Sequence, residues 1–133
     1  MLKHKIAYTD FNGMEREEDF YFHLSVPEVT RLEAELGTDL GTYAQTIASN
    51  QDVDKLLAFL EKIVLTSYGK KTSDGKSFYK SPELRTEFEY SQAYAELFQE
   101  LITNPELAQK FGEKVAEQVG KKAANPATLN IQK

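Results

Sequence analysis

Apolar residues alternate with polar ones at the start of the chain, and from about residue 26 they recur at three and four residue spacing instead. Ile6 and Tyr8 alternate with Lys5, Ala7 and Thr9, which predicts a strand with one buried face. Asp10-Phe11-Asn12-Gly13 then supplies a turn, because Asn and Gly tolerate the positive φ angles that tight hairpins demand. The return strand is predicted over Glu15 to Phe22, with Phe20 and Phe22 on one face and Asp19 and Tyr21 on the other. A lone hairpin is marginally stable in water, so helices must cover it or a partner must extend it.

The rest of the chain predicts helices. Ser25 and Glu28 are spaced as a capping box with Pro27 in the first turn, which starts a helix from about Val26 to Leu36 that Gly37 ends. A second, shorter helix is expected from Asp39 to Ala48, weakened by Gly41 and its threonines. The broadest apolar face, Leu56, Leu57, Leu60, Ile63, Val64 and Tyr68, predicts a helix over Val53 to Tyr68 with Gly69 as its C-terminal stop. Residues 70–80 read as a loop turning at Ser73-Asp74-Gly75. Ser81-Pro82-Glu83 opens another helix, Ser91 caps the next, and Asn104-Pro105 opens the last, whose apolar stripe runs from Leu107 through Phe111 and Val115 to Val119. The expected fold class is therefore α+β and mostly helical: an N-terminal two-stranded antiparallel β-hairpin followed by five or six short-to-medium helices, packed as one domain over residues 1–119. Residues 120–133, where the pattern dissolves, are expected to form a flexible C-terminal tail.

Composition narrows the function without supplying chemistry. The chain is 133 residues long, 41% hydrophobic and free of cysteine, which removes disulfides and thiolate nucleophiles. Its net charge is −5, and the acidic excess lies in residues 1–68, with six Lys or Arg against twelve Asp or Glu. Nucleic-acid binding needs a concentrated basic face, and the first half is the reverse of one. No segment reaches the roughly 18 apolar residues of a membrane span, so no membrane partner is expected and the cytoplasm is the default compartment. Glu15, Glu17, Glu18 and Asp19 crowd the hairpin, but alternation separates them onto two faces and makes them a solvated rim that discourages edge pairing. No Ser sits in a nucleophile elbow, no glycine run cradles phosphate, and His4 and His23 lack further metal ligands. Catalytic residues, metal ligands and cofactors are accordingly expected to be absent.

What remains is surface for another protein. Aromatic side chains carry much interface energy, and the candidates are Phe11 at the turn tip, Tyr21 on the hairpin, and the i, i+4, i+8 row of Tyr90, Tyr94 and Phe98. Asn12, Gly13, Ser25, Glu28, Gly69, Ser81 and Pro82 are assigned as turn and cap positions.

Three segments, IAYTDFNGMEREEDFYFHLSVPEV, LEKIVLTSYGKKTSDGKSFYKSPEL and FEYSQAYAELFQELITNPELAQKF, together resemble the small tail assembly chaperones of long-tailed (siphovirus-type) phages and prophages of Gram-positive bacteria. The matching positions are the turn Asp10-Phe11-Asn12-Gly13, the strand Asp19-Phe20-Tyr21-Phe22, the Tyr68-Gly69 stop and the helix start Ser81-Pro82-Glu83. The resemblance implies a non-enzymatic factor in the cytoplasm of the infected host, absent from the mature virion. Such a factor binds the tape measure protein and keeps it soluble for tail tube assembly. It also implies a homo-oligomer, a frameshift-extended form of the same protein, and the major tail protein as partners. The competing expectations are a virion structural tail-completion protein and a small phage-encoded regulatory protein that binds a host protein.

Overall fold

A computed structural model describes residues 1–117. In chain order the elements are β1 (Leu2–Thr9), β2 (Glu15–Phe22), α1 (Val26–Leu36), α2 (Leu40–Asn50), α3 (Val53–Ser67), β3 (Tyr68–Lys71), β4 (Phe78–Tyr79), α4 (Pro82–Glu89), α5 (Gln92–Thr103) and α6 (Pro105–Val115). Among the described residues the fold is α+β, with an N-terminal hairpin and six helices packed into one body. Expectations for Val119 and for the tail over residues 120–133 lie outside the described residues.

Each helix starts where a short polar side chain can accept from the backbone. Ser25, Asp39, Asp52, Ser81, Ser91 and Asn104 each bond an N–H of the first turn, and each such cap contributes about 1 kcal/mol. At α1 the capping box is reciprocal: the Glu28 N–H donates to Ser25 Oγ at 3.3 Å and the Ser25 N–H to Glu28 Oε1 at 2.9 Å. Gly37 closes α1 in the left-handed region at φ 78°. α2 extends two residues past its expected end, and its N-terminus is held by the Asp39 carboxylate, which accepts from both the N–H and the hydroxyl of Thr42.

The hairpin follows the predicted alternation. Leu2, His4, Ile6 and Tyr8 turn inward and Lys3, Lys5, Ala7 and Thr9 outward, against β2 in the register Ile6↔Glu18 and Lys5↔Asp19. The hairpin does not stand alone, however: the sheet has four strands in the order β1-β2-β3-β4. Gly69 is therefore not a helix stop. α3 ends because Tyr68 already has extended angles, φ −67° and ψ 139°, and the chain passes directly into β3, where Gly69 pairs with Tyr21. The segment expected to be a loop holds the end of β3, a turn at Thr72–Gly75 and the two residues of β4, which pair back on Lys70 and Lys71.

The core lies between the inner face of this sheet and the helices. α5 and α6 pack on β1, α4 on β3, and α3 on α4 and α5. Phe22, Leu24, Val64 and Leu97 are completely buried, and full burial of such a side chain is worth about 1.5–3 kcal/mol. Aromatic rings knit the layers: Tyr68 stacks on Phe88 at 4.2 Å, and Phe22 meets Phe111 edge-on at 5.1 Å. On α3 the buried apolar residues are Leu60, Ile63, Val64 and Leu65, joined by the fully buried Ser67, whereas Leu56 at the outer end of the predicted stripe is exposed. The Leu24 N–H donates to the Val115 carbonyl at 2.8 Å, joining the end of the hairpin to the end of α6.

Candidate protein-binding surfaces

The hairpin tip presents one large apolar side chain on a hydrogen-bonded turn. Gly13 N–H donates to the Asp10 carbonyl and Asp10 N–H to the Met14 carbonyl, with Gly13 left-handed at φ 80°. This is the three-residue hairpin loop in which glycine completes the turn. Asn12 does not share that conformation, so its fit to the turn comes from its N–H instead: Asp10 Oδ1 accepts from Asn12 N and Met14 N. Arg16 Nε closes the knot on Asp10 Oδ2 at 2.6 Å, and its guanidinium, with the two backbone donors, holds the Asp10 carboxyl below its ordinary value. Phe11 takes no part in these bonds. It is 77% exposed, beside Met14 at 60%.

The other sequence candidates separate. Tyr21 is half-buried on the outer face, with Lys71 Nζ 5.5 Å above its ring. The row of Tyr90, Tyr94 and Phe98 is broken, because Tyr90 ends α4 and Ser91 begins a new helix. Tyr90 is 73% exposed, while Tyr94 and Phe98 pack on the core 5.7 Å apart. Burial, with Glu61 and Glu89 nearby, pushes the Tyr94 hydroxyl up to about 12.

Two concavities were not anticipated from the sequence. One, of about 220 Å³, lies where α1, α2 and α3 meet and is floored by Leu32, Leu36, Tyr43, Phe59 and Ile63. The Lys62–Glu35 ion pair, 3.9 Å long, stands at its rim. The other, of about 560 Å³, opens beside β2 over the rings of Phe20, Tyr68 and Phe88. On its border the Tyr8 hydroxyl donates to Glu18 Oε1 at 2.5 Å, and that bond raises the tyrosine to about 12.

A half-buried polar latch holds the sheet to the helices. Lys80 Nζ donates to both Glu28 oxygens at 2.7 Å and to the His23 carbonyl at 2.5 Å, tying the segment after β4 to the cap of α1. Burial acts to raise the Glu28 carboxyl, but the hydrogen bonds from Lys80 and Ser25 outweigh it and leave the group below its ordinary value. This explains why Glu28, assigned as a cap, serves two structures at once.

A family model described as phage tail assembly chaperone matches residues 1–125. The chain belongs to that family. No curated protein and no solved structure matches it. Family membership covers every described element, so the tip, both concavities and the latch lie within the chaperone family's matched region. No group of three or more His, Asp or Glu able to hold a metal occurs among the described residues.

Proposed function

We propose that this chain is a non-enzymatic tail assembly chaperone that binds the tape measure protein and keeps it soluble for tail tube assembly. The observation that carries the reading is the family match over residues 1–125. The surface supports it: an apolar tip at Phe11, an apolar cleft between α1, α2 and α3, and an aromatic groove beside β2 are places to bury a client's apolar stripes. The acidic exterior keeps such a complex dispersed. The same reading sets the chain in the cytoplasm of a Gram-positive host infected by a long-tailed phage or carrying its prophage, and leaves it out of the finished virion. It assembles as a homo-oligomer along the client, beside a frameshift-extended form of itself and near the major tail protein.

The test is co-expression with the tape measure protein of the same phage, followed by affinity capture and sedimentation. The expected result is a soluble complex containing both chains. If the client sediments equally with and without this chain and no complex is captured, the reading fails. Recovery of the chain from purified virions would favour a structural tail-completion role instead.

A further inference from the structure

The sheet is incomplete along one side of β2. This strand pairs with β1 at all eight positions from Glu15 to Phe22, but with β3 only at Tyr21 and Phe22. Beyond that point Lys70 and Lys71 of β3 pair with β4 and have no partner on β2, though both still line the groove beside it. The His23 N–H, which donates to the Ser67 carbonyl at 2.8 Å, fixes the direction of the backbone groups. In an antiparallel ladder the N–H and C=O of one residue point to the same neighbour, and alternate residues point to opposite neighbours. Glu15, Glu17 and Asp19 therefore aim their backbone donors and acceptors into the lane that β3 leaves vacant. The bond from Asp10 N–H to the Met14 carbonyl agrees, since it puts the even positions on the β1 side.

This lane is also where the groove of about 560 Å³ opens, floored by Phe20 over the buried rings of Tyr68 and Phe88 and bordered by the acidic Glu18, Asp19 and Glu87 and the basic Lys70 and Lys71. Acidic side chains alone are enough to guard an edge against stray pairing. A guarded edge has no need of an aromatic floor beside it. The side chains of Glu15, Glu17 and Asp19 share the outer face, because residues two apart on a strand point the same way. A strand laid in the lane would thus meet the ring floor on one side and, on the other, the carboxylates of Glu15 and Glu17, because Asp19 is already paired with Lys3 at 3.7 Å and Lys5 at 3.8 Å.

We propose that the vacant lane of β2 receives an extended segment of the client protein, with apolar side chains at alternate positions on the ring floor and Lys or Arg at the positions between, against Glu15 and Glu17. This is recognition by strand addition, in which main-chain bonds give affinity and alternate side chains give specificity. It rests on the client-binding function above and specifies how one part of the client is held. A second copy's β1 also alternates Lys3 and Lys5 with apolar residues, but it lies under its own α5. Strands in one sheet stand about 4.8 Å apart, and that spacing would drive the second α5 into α4, which lines the groove.

The test uses the full chain, isotope-labelled, and a short synthetic peptide alternating lysine with valine. A block peptide of the same composition and an alternating glutamate–valine peptide are the controls. The expected result is that the lysine–valine alternate slows amide hydrogen exchange at Glu17 and Asp19 by about tenfold or more, while neither control does. Equal effects of the two lysine peptides, or unchanged exchange at both residues, would overturn the proposal. So would slow exchange without peptide: if independent of concentration, the chain's own residues fill the lane, and if concentration-dependent, a second copy does.

Two variants connect the lane to the client. Glu17→Pro removes a lane-facing donor without removing a bond to β1, and Glu17→Lys reverses a charge on an exposed side chain. Both should lower client recovery while the wild type retains it. If the wild type fails to keep the client soluble, the chaperone reading itself is lost. If wild type and both variants retain it equally, only the lane assignment falls.

Discussion

At Gly69 an added Cβ would come within 2.6 Å of both the Phe78 ring and the Tyr79 carbonyl oxygen. The second of these is backbone and cannot swing aside, so Gly69→Ala is expected to cost about 1–3 kcal/mol, the usual range for overpacking. Urea denaturation checks this, and an unchanged midpoint would show that β4 can shift without penalty. His23 controls stability in another way. Its Nδ1 is buried without a hydrogen-bond partner, and its pKa is depressed below 6.5 by burial, then by the positive N-terminus and Lys80. A depressed folded-state value means that the unfolded chain takes up the proton first as pH falls. The stability tied to neutral His23 is thus complete above 6.5 and declines below it. Glu28, also depressed, adds a second decline below its ordinary 4.5. Melting temperatures measured from about pH 7 to about pH 5 should fall for the wild type and stay flatter for His23→Phe, which keeps an aromatic ring against Phe78. Parallel curves would remove His23 from the account.

Among the elements, those with caps were readable in advance and those made by distant pairing were not. α1 matches its expected bounds from Val26 to Leu36 because Ser25, Glu28 and Gly37 are local signals, complete within the segment itself. β3 and β4 carry four and two residues, too few for a period of two to emerge, and Gly69-Lys70-Lys71 looks like a helix ending followed by a loop. Their partners stand far away in sequence, so only the folded sheet reveals them. The same limit applied to binding surfaces. Phe11 was readable at the tip because a turn is local, whereas the groove beside β2 depends on where β3 diverges. The hairpin element gives its own test. Because the turn is bonded through Asp10, Asn12, Gly13, Met14 and Arg16, with no bond to the Phe11 side chain, Phe11→Ser should leave the circular dichroism spectrum unchanged and shift stability by less than about 0.5 kcal/mol. It should nevertheless weaken capture of the client. A large loss of stability would mean that the exposed ring supports the turn after all.

Across the whole molecule, Ile6 of β1, Phe22 of β2, Leu97 of α5 and Phe111 of α6 share one core. The sequence pattern showed which residues were apolar but not that the last helices cover the first strands, because periodicity is blind to pairing between distant segments. The clasp between Leu24 and Val115 makes this plain, since it joins the residue just after the hairpin to the end of the last described helix. Its consequence concerns the order in which the protein can form. Contacts so far apart in sequence require long loops to close first, which slows folding and defers it to late in synthesis. A nascent chain that has not yet supplied α5 and α6 leaves the inner face of the hairpin bare, with Ile6 and Phe22 open to water. The chaperone thus passes, on its way off the ribosome, through the same sticky condition from which it is proposed to protect its client.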